Sequence, residues 1–279
     1  MRKSQSVLSL PSWFYPSFYA KLVATLGGQE RMAENKLKRI DELKARIDQF
    51  RPLDKSLLKQ IREYFRIALT YSSNAIEGNS LTETETKVII EDGITIGGKT
   101  LKDHYEAIGH SEAYGMLYRF ARNQEIREKH IKDLHKIFFY RIDRKNAGKY
   151  RKQRVLITGS EFLPPSPDKV PGLMQSLARE MPRLRKKFHP VHFAALLHRE
   201  LVTIHPFIDG NGRTARLLMN LALLQDGYPI AIIPPVLRAE YLDALRESQK
   251  VPRDDRPFFD FIASVCYESA KDYLRLLQG

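Results

Sequence analysis

Because 43% of its 279 residues are hydrophobic, the chain can build the core of one large domain or two small ones. Lysine and arginine outnumber aspartate and glutamate by 46 to 33, and the net charge of +13 favours anionic partners such as nucleotides, nucleic acids or acidic protein surfaces. Since the chain has one cysteine and no apolar run of roughly 18 residues, we expect a soluble, cytoplasmic protein without disulfides, cysteine-based zinc or membrane contact.

Hydrophobic residues recur at helical spacing along most of the chain. In residues 29–50, Leu37, Ile40, Leu43 and Ile47 fall on one stripe, and charges occupy the rest. The same pattern predicts further helices, at 54–72, 101–122, 130–142, 168–188, 190–204, 212–226, 237–249 and 257–277. A proline at position 182 predicts an interruption in one of them. The stretch 212–226 is apolar nearly all round, which indicates a central buried helix.

The segment RVLITGSEFLPPSP, residues 154–167, breaks the helical pattern. Its β-branched residues, Gly-Ser turn and terminal prolines predict a small β-hairpin. Because strands and helices do not alternate anywhere, the predicted fold is all-α with this one hairpin. We expect an N-terminal helical region over 1–69 and a core over 70–279.

The twelve residues HPFIDGNGRTAR, 205–216, combine a base, a carboxylate, a glycine-rich turn and two cations. Two glycines flank Asn211 at the predicted helix start, where unpaired N–H groups and the helix dipole favour an anion. Arg213 and Arg216 lie at i and i+3, so both guanidinium groups can face the same phosphate. This half of the pattern predicts a phosphate site.

His205 and Asp209 add proton-transfer and metal chemistry to that site. A lone carboxylate beside phosphates suits Mg²⁺, which takes one or two carboxylates plus phosphate oxygens. The ordinary pKa of histidine, about 6.5, suits His205 to accept a proton from an attacking hydroxyl. Together the residues predict general-base attack on a metal-bound phosphate.

The same stretch resembles the signature of Fic proteins, HPFx(D/E)GNGRxxR, at every fixed position. The resemblance implies a Fic-type helical bundle with a β-hairpin flap, and a nucleotidyltransferase that moves AMP from Mg-ATP to a Ser, Thr or Tyr hydroxyl of a target protein. His205 would be the general base and Asp209 would hold Mg²⁺. Arg213 and Arg216 would bind the outer phosphates.

The resemblance further implies that Gly210, Asn211 and Gly212 form the anion hole for the α- and β-phosphates. Related Doc kinases lack the second glycine, so Gly212 favours adenylyl transfer, although relatives also use UTP or other donors. Gln249 or Tyr241 would contact adenine. The flap over 154–165 would hold a target segment by strand addition; its residues would be Val155, Leu156, Ile157 and Thr158.

A second stretch, SNAIEGN at 73–79, ends a predicted helix, because Gly78 and Asn79 stop it. By itself it indicates a helix C-terminus with a solvated glutamate. It also resembles the inhibitory motif (S/T)xxxE(G/N) of Fic proteins that carry an internal inhibitory helix, here about 70–79. That resemblance implies that Ser73 and Glu77 are inhibitory and that Glu77 pairs with Arg216. It leaves open whether Glu77 also supports removal of AMP.

Three other features allow different interpretations. GITIGGKT, 93–100, matches the P-loop pattern, but only KVIIED could supply the strand that must precede it. The basic stretch 141–154 suits nucleic acid or an acidic target protein, and we favour the target. An aromatic cluster, Trp13, Phe14, Tyr15 and Phe18, could dock on the core or on a second copy, which would give a homodimer.

Overall fold

The computed structural model describes residues 30–123, 125–157, 162–250 and 254–278. In these ranges the chain forms ten α-helices and two short 3-10 turns, and no β-strand. The helices are α1 (Glu30–Asp48), α2 (Lys55–Ile76), α3 (Glu83–Asp92), α4 (Leu101–Phe120), α5 (Glu128–Phe139), α6 (Val170–Lys187), α7 (Pro190–Ile204), α8 (Asn211–Gln225), α9 (Arg238–Glu247) and α10 (Arg256–Gln278). The predicted all-α fold is confirmed, and its hairpin is not.

Helices α7 and α8 form the centre of the bundle. Leu197, Leu201 and Ile204 of α7 and Leu217 and Leu221 of α8 are fully buried. Helices α2, α4 and α5 pack on α8, whereas α6 and α10 pack on α7, and α1 covers α10. The prediction of a central buried helix is therefore confirmed. The signature residues are placed where two buried helices meet.

Two successive helices, α3 and α4, each begin with a capping box, and this rules out the strand that a P-loop requires. The Thr82 hydroxyl accepts from the Glu85 N–H, and the Glu85 carboxylate accepts from the Thr82 N–H at 2.7 Å, which starts α3. Thr100 and Asp103 do the same for α4. The residues KVIIED therefore belong to a helix, not a strand. Lys99 binds the Ser80 carbonyl and lies 3.3 Å from Glu85, so the P-loop interpretation is wrong.

Helix α6 continues through Pro182, so the predicted interruption is wrong. Proline removes one backbone hydrogen bond and crowds the preceding turn. The apolar stripe on both sides of it, Leu177, Met181 and Leu184, is buried. Packing against α7 therefore outweighs the local cost of the proline.

The predicted flap carries no strand in its described parts, 154–157 and 162–166. Leu156 and Leu163, one on each side, are 82% and 72% exposed. Thr158 lies outside the described residues, as does the N-terminal aromatic cluster. Cys266 is buried, and burial raises its pKa to about 12, as expected for a core thiol. No described helix is long and apolar enough to cross a membrane.

Two glycines of α4 give a matched test of packing. A β-carbon at Gly109 would overlap the backbone carbonyl of Phe138 in α5, whereas one at Gly115 would meet nothing within 4 Å. We expect Gly109→Ala to lower the free energy of unfolding by about 2 kcal/mol, through overpacking. Gly115→Ala should raise it by about 0.5 kcal/mol, because alanine is the better helix former. Urea denaturation measures both, and equal effects would contradict the close α4–α5 contact.

Candidate active site

His205 sits at the junction between α7 and the loop that leads to α8. It is the residue after Ile204, and its backbone is left-handed, with φ 51° and ψ 58°. No other non-glycine residue in the described ranges has a positive φ. Histidine tolerates this region better than β-branched residues do. The turn lifts the imidazole out of the helix and towards the start of α8.

A hydrogen bond fixes the tautomer of His205. Its Nδ1 lies 3.2 Å from the Val202 carbonyl oxygen. Because a carbonyl can only accept, Nδ1 carries the proton and Nε2 keeps its lone pair. A neutral ring held in this way can accept a proton through Nε2.

Burial lowers the pKa of the His205 imidazole below its ordinary value. The hydrogen bond to Val202 and the Glu77 and Asp209 carboxylates favour the protonated ring. The positive charge of Arg151 opposes them. The net direction is downward, so His205 is neutral at pH 7 and available as a base.

We predict that the His205 imidazole titrates with a midpoint below about 6.5, the ordinary value for histidine. The measurement is an NMR pH titration of the histidine ring protons in the wild-type protein. The signal that disappears in His205→Ala gives the assignment. A midpoint at or above the ordinary value would contradict the burial and charge argument.

The loop between His205 and α8 is pinned from two sides. The Asn211 side chain donates to the Phe207 carbonyl and accepts from the Phe207 N–H, both at 2.9 Å. The His135 ring stacks on Phe207 with centroids 3.7 Å apart, and its Nε2 donates to the Asp209 carbonyl at 3.1 Å. The Asn211 amide therefore stabilises the loop, and only its backbone N–H can face an anion.

The first turn of α8 presents an anion cradle. Gly210 has φ 76°, and its N–H donates to Asp209 Oδ1 at 2.6 Å. Residues 211–213 follow, and helix geometry leaves their N–H groups without intrahelical acceptors. A β-carbon at Gly212 would overlap the Glu77 carboxylate, so the cradle is approached directly by that side chain.

The Arg216 side chain is buried, with only 2% of its surface exposed, and several hydrogen bonds hold it. Its Nε donates to Ser73 Oγ at 2.9 Å and its Nη2 to the Ser73 carbonyl at 2.8 Å. Nη2 also lies 2.7 Å from Glu77 Oε1, so the Glu77–Arg216 contact expected from the motif is present. Nη1 donates to the Tyr241 hydroxyl at 3.3 Å. Nη1 faces the cradle too, since a β-carbon at Gly212 would lie 3.2 Å from it.

Arg213 is held by different partners. Its Nη1 lies 2.7 Å from Glu106 Oε1 and 3.5 Å from Asn74 Oδ1, and its Nη2 lies 3.6 Å from Asp209 Oδ1. The guanidinium covers the Phe138 ring at 4.6 Å. Both signature arginines are thus held by contacts within the protein alone.

Glu77 lies directly after the last residue of α2. Burial raises the pKa of its carboxyl, but the charge of Arg216 and then that of Arg213 outweigh burial. The pKa therefore lies below the ordinary value, and Glu77 is ionised at neutral pH. The Glu77 carboxylate therefore places a negative charge at the mouth of the anion cradle.

Asp209 and Gln249 lie at the open side of the site. The Asp209 side chain is 51% exposed beside the cradle. The described residues contain no group of three or more His, Cys, Asp or Glu side chains that could hold a metal. Gln249 is half-buried, and its Nε2 donates to Thr203 Oγ1 at 3.2 Å, which places it near the end of α7. Tyr241 is instead buried behind Arg216, where its hydroxyl donates to His198 Nε2 at 2.9 Å.

The motifs did not predict the contacts of Asn74, Glu106, His135 and Arg151, nor the contact between Tyr241 and Arg216. Each acts on a signature residue from another helix or loop. Glu106 also accepts from Asn79 at 2.9 Å, so it joins the stretch SNAIEGN to Arg213. No local spacing marks such residues, because their role depends on which helices pack together. Asn74 lies inside SNAIEGN and Arg151 inside the basic stretch 141–154, but neither pattern indicates the contact that the side chain makes.

Known proteins resemble this chain over a range that includes these residues. The model of the Fic/DOC family matches residues 125–223. Protein adenylyltransferase Fic of Drosophila willistoni is 35% identical over 246 residues, which are 87% of this chain and 48% of that protein. Its counterpart in Drosophila erecta is 39% identical over 204 residues, covering 72% and 40%. The chain thus spans about half the length of these curated relatives.

Two solved structures share the fold. A Fic domain containing signaling protein from Bacteroides thetaiotaomicron has a TM-score of 0.79 and 30% identity, covering 86% of this chain and 97% of that one. Fic-1 from C. elegans has a TM-score of 0.80 and 28% identity, covering 94% and 77%. The bundle, the oriented histidine and the helix-start cradle together define a helical protein with an anion site. The chain belongs to the Fic/DOC family.

Proposed function

We propose that this protein is an adenylyltransferase that moves AMP from ATP to the hydroxyl of a Ser, Thr or Tyr side chain in a target protein. The observation that carries the proposal is the pairing of a neutral, oriented histidine with a helix-start cradle and two buried arginines. The curated relatives that it matches are named protein adenylyltransferases, which supports the same activity.

In the proposed reaction His205 Nε2 takes the proton of the target hydroxyl. The hydroxyl oxygen then attacks the α-phosphorus, the bond between the α-phosphorus and the bridging oxygen breaks, and pyrophosphate leaves. Backbone N–H groups of residues 211–213 stabilise charge on the α- and β-phosphates. Arg213 and Arg216 bind the outer phosphates.

Asp209 is the residue that would hold Mg²⁺. A single exposed carboxylate beside a phosphate cradle fits this ion, whose remaining ligands are phosphate oxygens and water. When bound, the ion neutralises phosphate charge. The proposal assigns Gln249 to the adenine, since this half-buried amide lies beside the end of α7.

We also propose that the protein holds itself inactive through Glu77. The carboxylate occupies Arg216 and approaches the cradle at Gly212, where it puts negative charge in the place of the γ-phosphate. Ser73 belongs to the same device, because its hydroxyl and carbonyl fix the Arg216 fork against Glu77. ATP can then enter only in a pose that does not react.

The target would be an acidic protein that presents an extended segment. Val155, Leu156 and Ile157, with Thr158, are proposed to pair with that segment by strand addition. The preceding loop carries exposed cations with no carboxylate within 4 Å among the described residues, namely Arg144, Lys145, Lys149, Lys152 and Arg154. Such a surface attracts acidic partners. A homodimer and the division at residue 69 stay predictions of the sequence.

Removal of AMP is a second candidate, because Glu77 is ionised and lies at the same cradle. A carboxylate there can orient a water molecule against a phosphodiester. If the wild type releases AMP from a modified target and Glu77→Gly does not, the protein also catalyses removal.

The position of the label in ATP tests the proposed function. Glu77→Gly protein would be incubated with Mg²⁺ and ATP labelled on the α- or on the γ-phosphate, and label on the protein would be measured. We expect transfer of the α label only. Transfer of the γ label would show phosphoryl transfer instead, and no label with ATP still bound would overturn AMP transfer from ATP to the protein itself.

A further inference from the structure

Arg151 is a buried cation with an unusual set of partners. It is 5% exposed. Its guanidinium donates to three backbone carbonyls: Nε to His205 at 2.7 Å, Nη1 to Gln153 at 3.1 Å and Nη2 to Pro165 at 2.5 Å. Its own N–H donates to the Pro206 carbonyl at 2.9 Å. In the part of the chain that the structure describes, no carboxylate lies within 4 Å of it.

A buried guanidinium without a carboxylate is costly, and burial lowers its pKa. The carbonyls that it binds fall into two groups. His205 and Pro206 belong to the proposed base and its turn. Gln153 and Pro165 bracket the flap segment, one at each end. The side chain is therefore the direct link between the flap and the histidine.

We propose that Arg151 is a positioning residue that holds both ends of the flap and the His205 turn as one rigid unit, so that a target hydroxyl held at the flap meets the base. This inference rests on the proposed function. The planar fork of arginine can reach three diverging carbonyls, whereas the point charge of lysine cannot bind all three in the same geometry. A displacement of about 1 Å between reacting groups can cost about 100-fold in rate.

The same contact has an electrostatic consequence. Arg151 donates to the carbonyl of the residue whose imidazole acts as the base, and its charge helps to keep the pKa of that ring low. The other charged groups that act on the ring, Glu77 and Asp209, work in the opposite direction. Removal of the Arg151 charge should therefore raise the pKa of His205, while lysine should preserve it.

Two variants separate the geometric role from the electrostatic one. Arg151→Lys and Arg151→Met would be made in the Glu77→Gly protein, with Arg144→Met as the control, since Arg144 is an exposed cation of the same loop. At pH 8, we expect both Arg151 variants to transfer AMP about 100-fold more slowly than the parent. ATP affinity, measured by calorimetry, should stay unchanged, because Arg151 does not touch the cradle. The NMR midpoint of His205 should rise in Arg151→Met and stay in Arg151→Lys.

The inference is overturned if Arg151→Lys transfers AMP at the parent rate, or if it loses ATP binding along with transfer, which would indicate general disruption. An unmoved His205 midpoint in folded Arg151→Met overturns the electrostatic part. If Arg151→Met does not fold, the lysine variant decides the geometric part. A parent protein that takes up no label would count against the proposed function, and the His205 titration would still test the link.

Discussion

Replacing Glu77 by glycine is expected to raise the rate of AMP transfer about 100-fold over the wild type at saturating ATP. One N–H of Arg216 Nη2 binds Glu77 at 2.7 Å, and this N–H becomes free in the glycine variant. A hydrogen bond between charged groups contributes about 1.5–3 kcal/mol, and each 1.4 kcal/mol is about a factor of ten. Removal of the negative charge beside the cradle adds to this effect.

The released arginine should remain in place. Of its five N–H groups, Ser73 takes two and Tyr241 takes one. Once Glu77 is gone, one N–H on each terminal nitrogen is free, which is the geometry that binds two oxygens of one phosphate. Tyr241 is itself fixed by His198, so the fork does not need Glu77 to hold its orientation.

Three measurements would check this result: uptake of label from α-labelled ATP by the wild type, by Glu77→Gly and by Glu77→Gln. Glutamine keeps the size of the side chain without its charge, so an intermediate rate is expected. Adding Arg216→Ala to Glu77→Gly should remove the gain. The claim of autoinhibition is wrong if Glu77→Gly binds ATP and takes up no more label than the wild type.

The contact between Glu77 and Arg216 could be predicted because both residues lie in motifs of the sequence. The partners of Arg213 could not. Glu106 lies on α4, where buried and exposed residues follow no single face: Asp103, Glu106 and His110 are all buried. When polar side chains are buried at a site, the helix no longer shows the apolar stripe on which helix prediction depends. The missing information is which helix packs on α8.

The errors in the fold have local causes. Helix α3 was missed because its residues KVIIED are β-branched and acidic, although Thr82 and Glu85 form a capping box that starts a helix. Pro182 predicted a break in α6, but a buried stripe on each side of it holds the helix together. In both places, tertiary packing or capping outweighed the propensity of single residues.

The cradle also explains why the signature has glycine at position 212. In the structure the atom nearest to its missing β-carbon is an oxygen of Glu77. In the proposed reaction the same space holds a phosphate once Glu77 leaves. Under the proposed autoinhibition, the Glu77 carboxylate and a phosphate both need a position without a side chain, and a larger residue here would exclude both.

In the Glu77→Gly protein, His205→Ala is expected to lower the rate of AMP transfer by about 10³-fold. General-base catalysis typically contributes about 10²–10⁴-fold. The hydrogen bond from Nδ1 to the Val202 carbonyl leaves Nε2 of His205 as the ring nitrogen that can accept the proton. The affinity for ATP should remain, because the cradle and both arginines are anchored by Asn211, Ser73 and Glu106 rather than by His205.

A second variant separates loss of the base from collapse of the turn. His205 has a left-handed backbone, which asparagine adopts more readily than alanine does. His205→Asn should therefore keep the turn and still lose transfer. If either variant keeps more than about a tenth of the parent rate, the histidine is not the general base. If alanine abolishes transfer while asparagine largely preserves it, the left-handed turn, not the imidazole, is what the reaction needs.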